Sequence, residues 1–452
     1  MTPGNEDILS GNIGKTFFSY SIPNVLSLLA ISSSGVVDGF FVGNYAGAAS
    51  LAAINLVIPF YSLIYAICIM LTTGGSVRCA KYLGEKNQRA AASIFSKTLI
   101  IIISFSFIIT LIAILFPASI AFILGAKGEL IDLSIIYIQY LSLFTIFFLG
   151  VYSLSTFIRI EGGPIWASVS IISGALCNVL LDWLLVGKWG MGLKGAALAT
   201  GGAQVISMIM MLFFYLTKRN LLYFTLSNNG WNEIWKACYN GISEFTNELS
   251  GGLIILLFNW IMITQFGVPG VAAFTVINYT IWIGLMVFWG ISESSLPLIS
   301  TNFGARQPER IVAFLKYAFG STFFTGLVLF FLLFSIPDYL IGLFLQPQEI
   351  QSIEIAQDFT IILKWAFLFN GLNIIFSAYF TAMHKPLEST LVAITRSLFL
   401  PAMAVMILPV FIGETGIYIA IPLAEILTFV IALYFFYKLR PSSFNLTLNT
   451  KR

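Results

Sequence analysis

Apolar residues in this chain of 452 residues fall in long blocks separated by short polar joints. That pattern limits the fold more than any other feature. A run of 18 or more apolar residues is a candidate membrane-spanning helix, because about 20 helical residues cross the hydrocarbon core. Composition agrees: 58% of residues are hydrophobic and 10% are charged, with a mean hydropathy of +0.92. Soluble domains carry about 25% charged residues. The expected class is therefore an all-α integral membrane protein.

Several other classes drop out. A formal net charge of +3 is too small to point to nucleic acid. Cys68, Cys79, Cys177 and Cys238 sit in or beside apolar segments without CxxC spacing, so they read as small hydrophobes rather than a disulfide or zinc framework. The single histidine, His384, leaves no multi-histidine metal or haem site, and no resident cofactor is expected. The N-terminal stretch MTPGNEDILSGN is polar and acidic, which does not fit a cleaved signal peptide.

The blocks resolve into about twelve spans, at roughly 17–42, 53–77, 96–116, 131–156, 164–187, 193–216, 239–264, 270–294, 315–335, 357–380, 388–411 and 416–437. With a cytoplasmic N-terminus, eighteen Lys and Arg residues gather in the cytoplasmic joints. They are Lys15, Arg78, Lys81, Lys86, Arg89, Lys97, Arg159, Lys218, Arg219, Lys236, Arg306, Arg310, Lys316, Lys385, Lys438, Arg440, Lys451 and Arg452. Only Lys127, Lys188 and Lys194 lie outside, and Lys364 and Arg396 fall within spans. The positive-inside rule then puts both termini in the cytoplasm of a multi-pass membrane protein.

Sliding the chain by 220 residues aligns its halves. YAGAASLAAINLVIP from Tyr45 meets FGVPGVAAFTVINY from Phe266, and the basic joint YLGEKNQRAAASIFSK meets NFGARQPERIVAFLKY. Gly47, Gly84, Pro117 and Phe147 fall on Gly267, Gly304, Pro337 and Phe367. Six spans per half is an even number, so both halves enter the membrane in the same orientation. This predicts two six-helix bundles related by a pseudo-two-fold axis along the membrane normal. The N-terminal lobe is 1–216, a cytoplasmic linker 217–238, and the C-terminal lobe 239–452. Two such bundles enclosing a central cavity suggest a transporter.

No energy-converting motif accompanies them. GNIGKT at Gly11–Thr16 has Leu9 where a Walker A loop needs glycine, and no strand before it. HExxH, GxSxG and paired-cysteine metal motifs are missing from the sequence. Active transport would run on an ion gradient.

Ionisable residues inside a membrane cost about 2.5–3.5 kcal/mol each on insertion scales and usually mark function. Asp38 lies about five residues from the outer end of span 1, Asp182 about six from that of span 5, and Thr200 about seven inside that of span 6. Asn178 is one turn deeper than Asp182 on the same face. Two acids, an amide and a hydroxyl at one depth make a candidate coupling-cation site. A proton or Na⁺ would neutralise the acids there; in the blander alternative they cap or pair near the interface. No metal site is firmly assigned. Pro23, in the same span as Asp38, removes a backbone hydrogen bond and offers a hinge.

The C-terminal half is charged differently. Glu244 and Glu248 stand at i, i+4 in span 7, Glu293 ends span 8, and Glu425 lies in span 12. Arg396 is expected to pair with Glu425 or Glu248 as a structural charge. Glu244 and Glu248 are candidates for attracting a cationic substrate. Lys364 is expected to snorkel to the outer surface.

Span 1 ends in VVDGFFVGNYAGAASLAAINLVIPF, and GGSVRCAKYLGEKN follows span 2. Together with PLISTNFGARQPERI and GISEFTNELSGGLIILLFN, these segments resemble the multidrug and toxic compound extrusion (MATE) family, especially its bacterial multidrug-export branch. The resemblance covers nearly the whole chain. It implies a cation antiporter of the bacterial inner membrane that exports amphipathic and often cationic compounds in exchange for H⁺ or Na⁺ by alternating access; a monomer is expected. It also implies that Asp38, Asn178, Asp182 and Thr200 form an N-lobe cation site and that Pro23 is the span-1 proline. One departure is Gly251, which falls where sodium-driven relatives of another branch carry a span-7 glutamate, with Glu248 one turn earlier. The alternative within the superfamily is a lipid-linked oligosaccharide flippase, disfavoured by the presence of only Arg396 and Lys364 as cations inside the membrane. An intramembrane enzyme lacks a nucleophile–base pair, and a channel has no need of the internal repeat.

Overall fold

The computed structural model describes residues 5–216, 221–225 and 231–440. Part of the 217–238 linker lies outside the described residues, as do Lys218, Arg219, Lys451, Arg452 and the first four residues of the N-terminal stretch. The chain divides into two compact units, Met1–Gly241 and Ile242–Arg452.

In the first unit, α1 (Asn5–Ser10) precedes α2 (Ile13–Phe41). The Asn12 side chain accepts the Lys15 N–H at 3.0 Å, so GNIGKT is a capped helix start with a helix, not a strand, before it. A π-helical turn, Val42–Ala46, extends α2. Then come α3 (Ala48–Gly84), α4 (Gln88–Leu115), α5 (Pro117–Ile123), α6 (Glu129–Ser142), α7 (Thr145–Ile160) and α8 (Pro164–Leu181). A second π-helical turn, Asp182–Lys188, extends α8, and α9 (Gly192–Tyr215) completes the bundle. Next, α10 (Trp231–Gly304) leads into the second unit. There follow α11 (Pro308–Ser335), α12 (Pro337–Gly342), α13 (Ile350–Leu363), α14 (Phe367–Ala382), α15 (Pro386–Ile394), α16 (Leu400–Ile412) and α17 (Thr415–Lys438).

Among the described residues, ten helical stretches are long and apolar enough to cross a membrane, and the α6–α7 pair, bent by 50°, adds an eleventh. At 1.5 Å per residue, the 74 residues of α10 would run to about 110 Å, several times the hydrocarbon thickness. Its one non-helical residue, Gly267 (φ 68°, ψ −153°), divides it into two spans. The total is twelve, as expected.

Three details differ from the sequence reading. The five-residue joint expected at 265–269 is this single kink, because glycine alone reverses the backbone there at little cost. Spans 4 and 10 are broken: α6 and α7 part at Leu143–Phe144, and a 3₁₀ turn, Lys364–Ala366, separates α13 from α14. The first break seats the Phe144 ring against Gly201 of α9, where a Cβ would come within 2.2 Å of it. The partner lies in a distant helix, and no local breaker signals the break. Finally, Lys364 does not snorkel. It is buried, with its ammonium 4.5 Å from the Phe334 ring centroid and 5.7 Å from that of Phe330, an arrangement that favours a cation over the ring faces.

The repeat is written in the backbone as well. Gly47 and Gly267, then Lys86 and Arg306, are positive-φ residues 220 positions apart. Gly162 and His384, and Gly192 and Gly413, recur with offsets one or two residues larger. Short helices α5 and α12 start at Pro117 and Pro337, again 220 apart, after residues of matching conformation, Phe116 (φ −126°, ψ 40°) and Ile336 (φ −136°, ψ 42°).

The described part of the linker is tied down. Leu221 N–H donates to Glu161 Oε2 at 2.8 Å, Gln88 Nε2 donates to the Leu221 carbonyl at 2.7 Å, and Thr225 N–H donates to Ser96 Oγ at 2.8 Å. Leu222 is buried among Phe157, Ile160 and Ile234.

Candidate functional site

Asp38 sits four residues before the π-helical turn Val42–Ala46, and Asp182 opens the turn Asp182–Lys188. Hydrogen bonds in such turns reach five residues back, as from Trp189 N–H to the Leu184 carbonyl at 2.9 Å. Single π turns inside helices are frequent at functional sites. The second turn packs against α2, α9 and the first turn, while α8 packs on α2 and α9. Asp38 and Asp182 are thereby brought side by side.

Their carboxyls lie within hydrogen-bond reach of each other. Asp182 is fully buried. Asp38 Oδ1 and both Asp182 oxygens are closed to solvent and receive no other hydrogen bond. An ionised carboxylate only accepts, so two ionised carboxylates cannot bond to one another; the contact is stable only with a proton or a cation between them. Buried polar oxygens without donors are costly, at roughly 1–3 kcal/mol each. The pair is therefore a site that calls for a positive charge.

Asn178 is buried one turn back on α8, with its Nδ2 unbonded, and its carbonyl accepts the Asp182 N–H. Thr200 stands half-buried on α9. Among the described residues, neither side chain is hydrogen-bonded to the acids. Pro23 is half-buried within α2, which continues unbroken through it. A residue missed by the sequence reading is Tyr137 of α6. It is buried and close enough to both carboxyls for their charges to act on its hydroxyl. Its signal was present: it lies about six residues inside span 4, the depth of the two acids. Tyr61 of α3 steadies α6 by hydrogen bonds to Ser142 Oγ (2.9 Å) and the Ile138 carbonyl (3.3 Å).

The same positions in the second unit hold no acid. Asp38 corresponds to Phe258 at the 220-residue offset, and Thr200 to Ile421 at the offset of Gly192 and Gly413. Phe258 is buried and stacks on Phe274 at 5.2 Å, with Ile421 packed against the same cluster. Polar residues of this unit gather elsewhere. Arg396, on a π-helical turn Thr395–Phe399, lies 3.9 Å from Glu425 Oε1, and both are buried. Asn370 Nδ2 donates to Glu425 Oε1, and Asn373 Nδ2 donates to Oε2 at 2.7 Å. From the other side, Arg396 Nη2 donates to Asn247 Oδ1 at 3.2 Å, and Asn247 Nδ2 reaches Glu244 at 3.5 Å. Glu248, one turn on, is close enough to feel the Glu244 charge. The Glu425 carboxylate is thus paired and hydrogen-bonded, unlike the carboxyls of Asp38 and Asp182.

A duplicated bundle of membrane-spanning helices, with one buried carboxyl pair confined to the first copy, has the makings of a transporter rather than an enzyme. The MatE family model matches residues 23–184 and 253–406, one stretch in each half. The chain belongs to that family, one of transporters. It is 23% identical over 432 residues to the multidrug export protein MepA of Staphylococcus aureus, covering 94% of each chain. Among solved structures, it is similar to an outward-facing multidrug resistance MATE transporter of the MOP superfamily, with a TM-score of 0.90 at 23% identity over 98% of this chain and 99% of that one. A MOP superfamily transporter from Pyrococcus furiosus, described as having a binding pocket of reverse polarity that suggests a different function, matches with a TM-score of 0.88 at 23% identity and the same coverage.

Proposed function

We propose that this protein is a secondary active multidrug exporter, moving amphipathic and cationic small molecules out of the cell by antiport with a cation. The observation that supports this reading best is the Asp38–Asp182 contact, in which Asp38 Oδ1 and both Asp182 oxygens are closed to solvent and without a donor, while Asp38 as a whole is half-buried. The coupling ion is a substrate of the cycle, and a proton is the form favoured, because one proton shared between them satisfies two facing carboxyls. Alternating access supplies the cycle. Neutralising the pair stabilises the conformation in which it is buried, and ionisation favours the one in which it meets water. A ligand shifts such an equilibrium only by its differential affinity for the two states. Proton and cationic substrate thus become alternatives, and capture of one goes with loss of the other. Both termini lie in the cytoplasm under this reading.

The flippase alternative would need free cations for a pyrophosphate lipid. Arg396 is engaged by Glu425 and Asn247, and Lys364 lies under Phe330 and Phe334. The test is uptake of a fluorescent cationic dye into liposomes holding the protein, driven separately by a proton and by a sodium gradient. Proton-driven accumulation, lost in Asp38→Asn with the protein still folded and inserted, is the expected result. Full uphill activity in Asp38→Asn would end the proposal, and movement driven by sodium alone would make the two acids Na⁺ ligands.

A further inference from the structure

The two π-helical turns meet beside the carboxyl pair, and one contact there has a specific shape. Phe41 follows Asp38 by three residues on a helix, so the two side chains share a face. Gly187 follows Asp182 by five, which is one turn of a π helix. At Gly187 a Cβ would stand 3.2 and 3.4 Å from two carbons of the Phe41 ring. The ring therefore occupies the space that any larger residue at 187 would claim. Phe41 also stacks on Tyr45, with centroids 5.8 Å apart and planes 26° apart. The carboxyl pair and the Phe41–Gly187 contact are thus successive rungs between the same two elements. The second is apolar and lies one turn nearer the C-terminal ends of spans 1 and 5. Close approach continues beyond it: a Cβ at Gly195 of α9 would stand 3.1 Å from the Leu185 carbonyl oxygen in the same π-helical turn.

We propose that Phe41, seated on Gly187, is the gate that separates Asp38 Oδ1 and the buried Asp182 carboxyl from water at that end of the bundle, so that ions reach these oxygens from there only when the ring lifts. The proposal rests on the reading of this pair as the coupling site. It assigns Phe41 and Gly187 a role in ion access, not in ion ligation. A gate that lifts only with movement of span 1 ties ion exchange to the conformational cycle. Without it, protons would pass on and off the pair independently of substrate.

The experiment is carboxyl labelling of the full-length protein in detergent with a water-soluble carbodiimide and an amine nucleophile, with modification of Asp38 and Asp182 quantified by mass spectrometry. The wild type is expected to label slowly and Phe41→Ala several-fold faster, with Phe41→Leu between them. Gly187→Ala, whose methyl group pushes the ring by a few tenths of an ångström, is expected to label faster than wild type, and it serves if Phe41→Ala does not fold. In liposomes without substrate, Phe41→Ala should also dissipate an imposed proton gradient faster than wild type. Wild-type labelling rates in folded Phe41→Ala and Gly187→Ala would overturn the gate. Faster labelling without proton leak would uphold the gate and count instead against the pair as the coupling site, a failure that Asp38→Asn transport reads separately.

Discussion

At the scale of residues, two buried carboxyl systems in this protein have opposite chemistry. Asp182 faces Asp38 with no other donor, while Glu425 takes hydrogen bonds from Asn370 and Asn373 beside Arg396. Replacing Asp182 by asparagine supplies a donor for Asp38 and removes an acceptor that has none. The thermal midpoint of Asp182→Asn in detergent is therefore expected to equal or exceed that of wild type, with uphill dye transport lost; a clear fall in midpoint would contradict this account of the pair. Arg396→Leu does the reverse, leaving Glu425 buried without its counter-charge. Breaking a buried pair costs about 3–5 kcal/mol, so a large fall in midpoint is expected, and an unchanged midpoint would show that the pair is not structural. A third acid, Glu161, lies outside the spans, and burial pushes its carboxyl up to about 7. Its folded value thus exceeds its unfolded one, so the folded state binds the extra proton between pH ~4.5 and ~7. Stability should fall as pH rises through that window, and Glu161→Gln should flatten the slope, as read from thermal midpoints at stepped pH. Of these groups, Asp38, Asp182 and Arg396 were legible because charge inside an apolar run stands out. Tyr137 was not, since a tyrosine there looks like any other large membrane residue until depth is counted.

At the scale of elements, apolar block length carried most of the fold, and the twelve spans follow from it. What it could not carry is the interior of the spans. The break at Leu143–Phe144 seats Phe144 on Gly201, more than fifty residues away, and the π-helical turns at Val42–Ala46 and Asp182–Lys188 lie where α2, α8 and α9 pack. No proline marks any of these points, and Gly43 and Gly187 within the two turns look no different from Gly35, Gly39 and Gly174, which lie in unbroken stretches of α2 and α8. Gly47 and Gly267 were legible as an aligned pair, and the structure shows why both are glycine: each turns with positive φ between two long helices. Positive φ with extended ψ (88°, 167° and 68°, −153°) is open essentially to glycine alone, and a β-carbon there costs about 1–3 kcal/mol. Gly47→Ala and Gly267→Ala should each lower the thermal midpoint, and by similar amounts, because they serve the same turn in two copies. A loss at only one of them would mean that the repeat is not mechanically equivalent.

At the scale of the molecule, one architecture is present twice and the chemistry once. The backbone repeats at 220 to 222 residues, yet Asp38 has Phe258 as its counterpart, stacked on Phe274. Under the proposed function the exchanged ion is needed in only one unit, and the other uses the equivalent space as core. The central claim is that the Asp38–Asp182 pair holds the exchanged ion, and linkage makes this directly measurable: if proton and substrate are alternatives, each must reduce the affinity for the other by the same factor. The measurement is proton release on addition of a cationic dye to the purified protein in weak buffer, followed with a pH indicator and compared between wild type and Asp38→Asn. The account predicts release from wild type on dye binding and none from Asp38→Asn; equal release from both would place the exchanged proton elsewhere in the molecule.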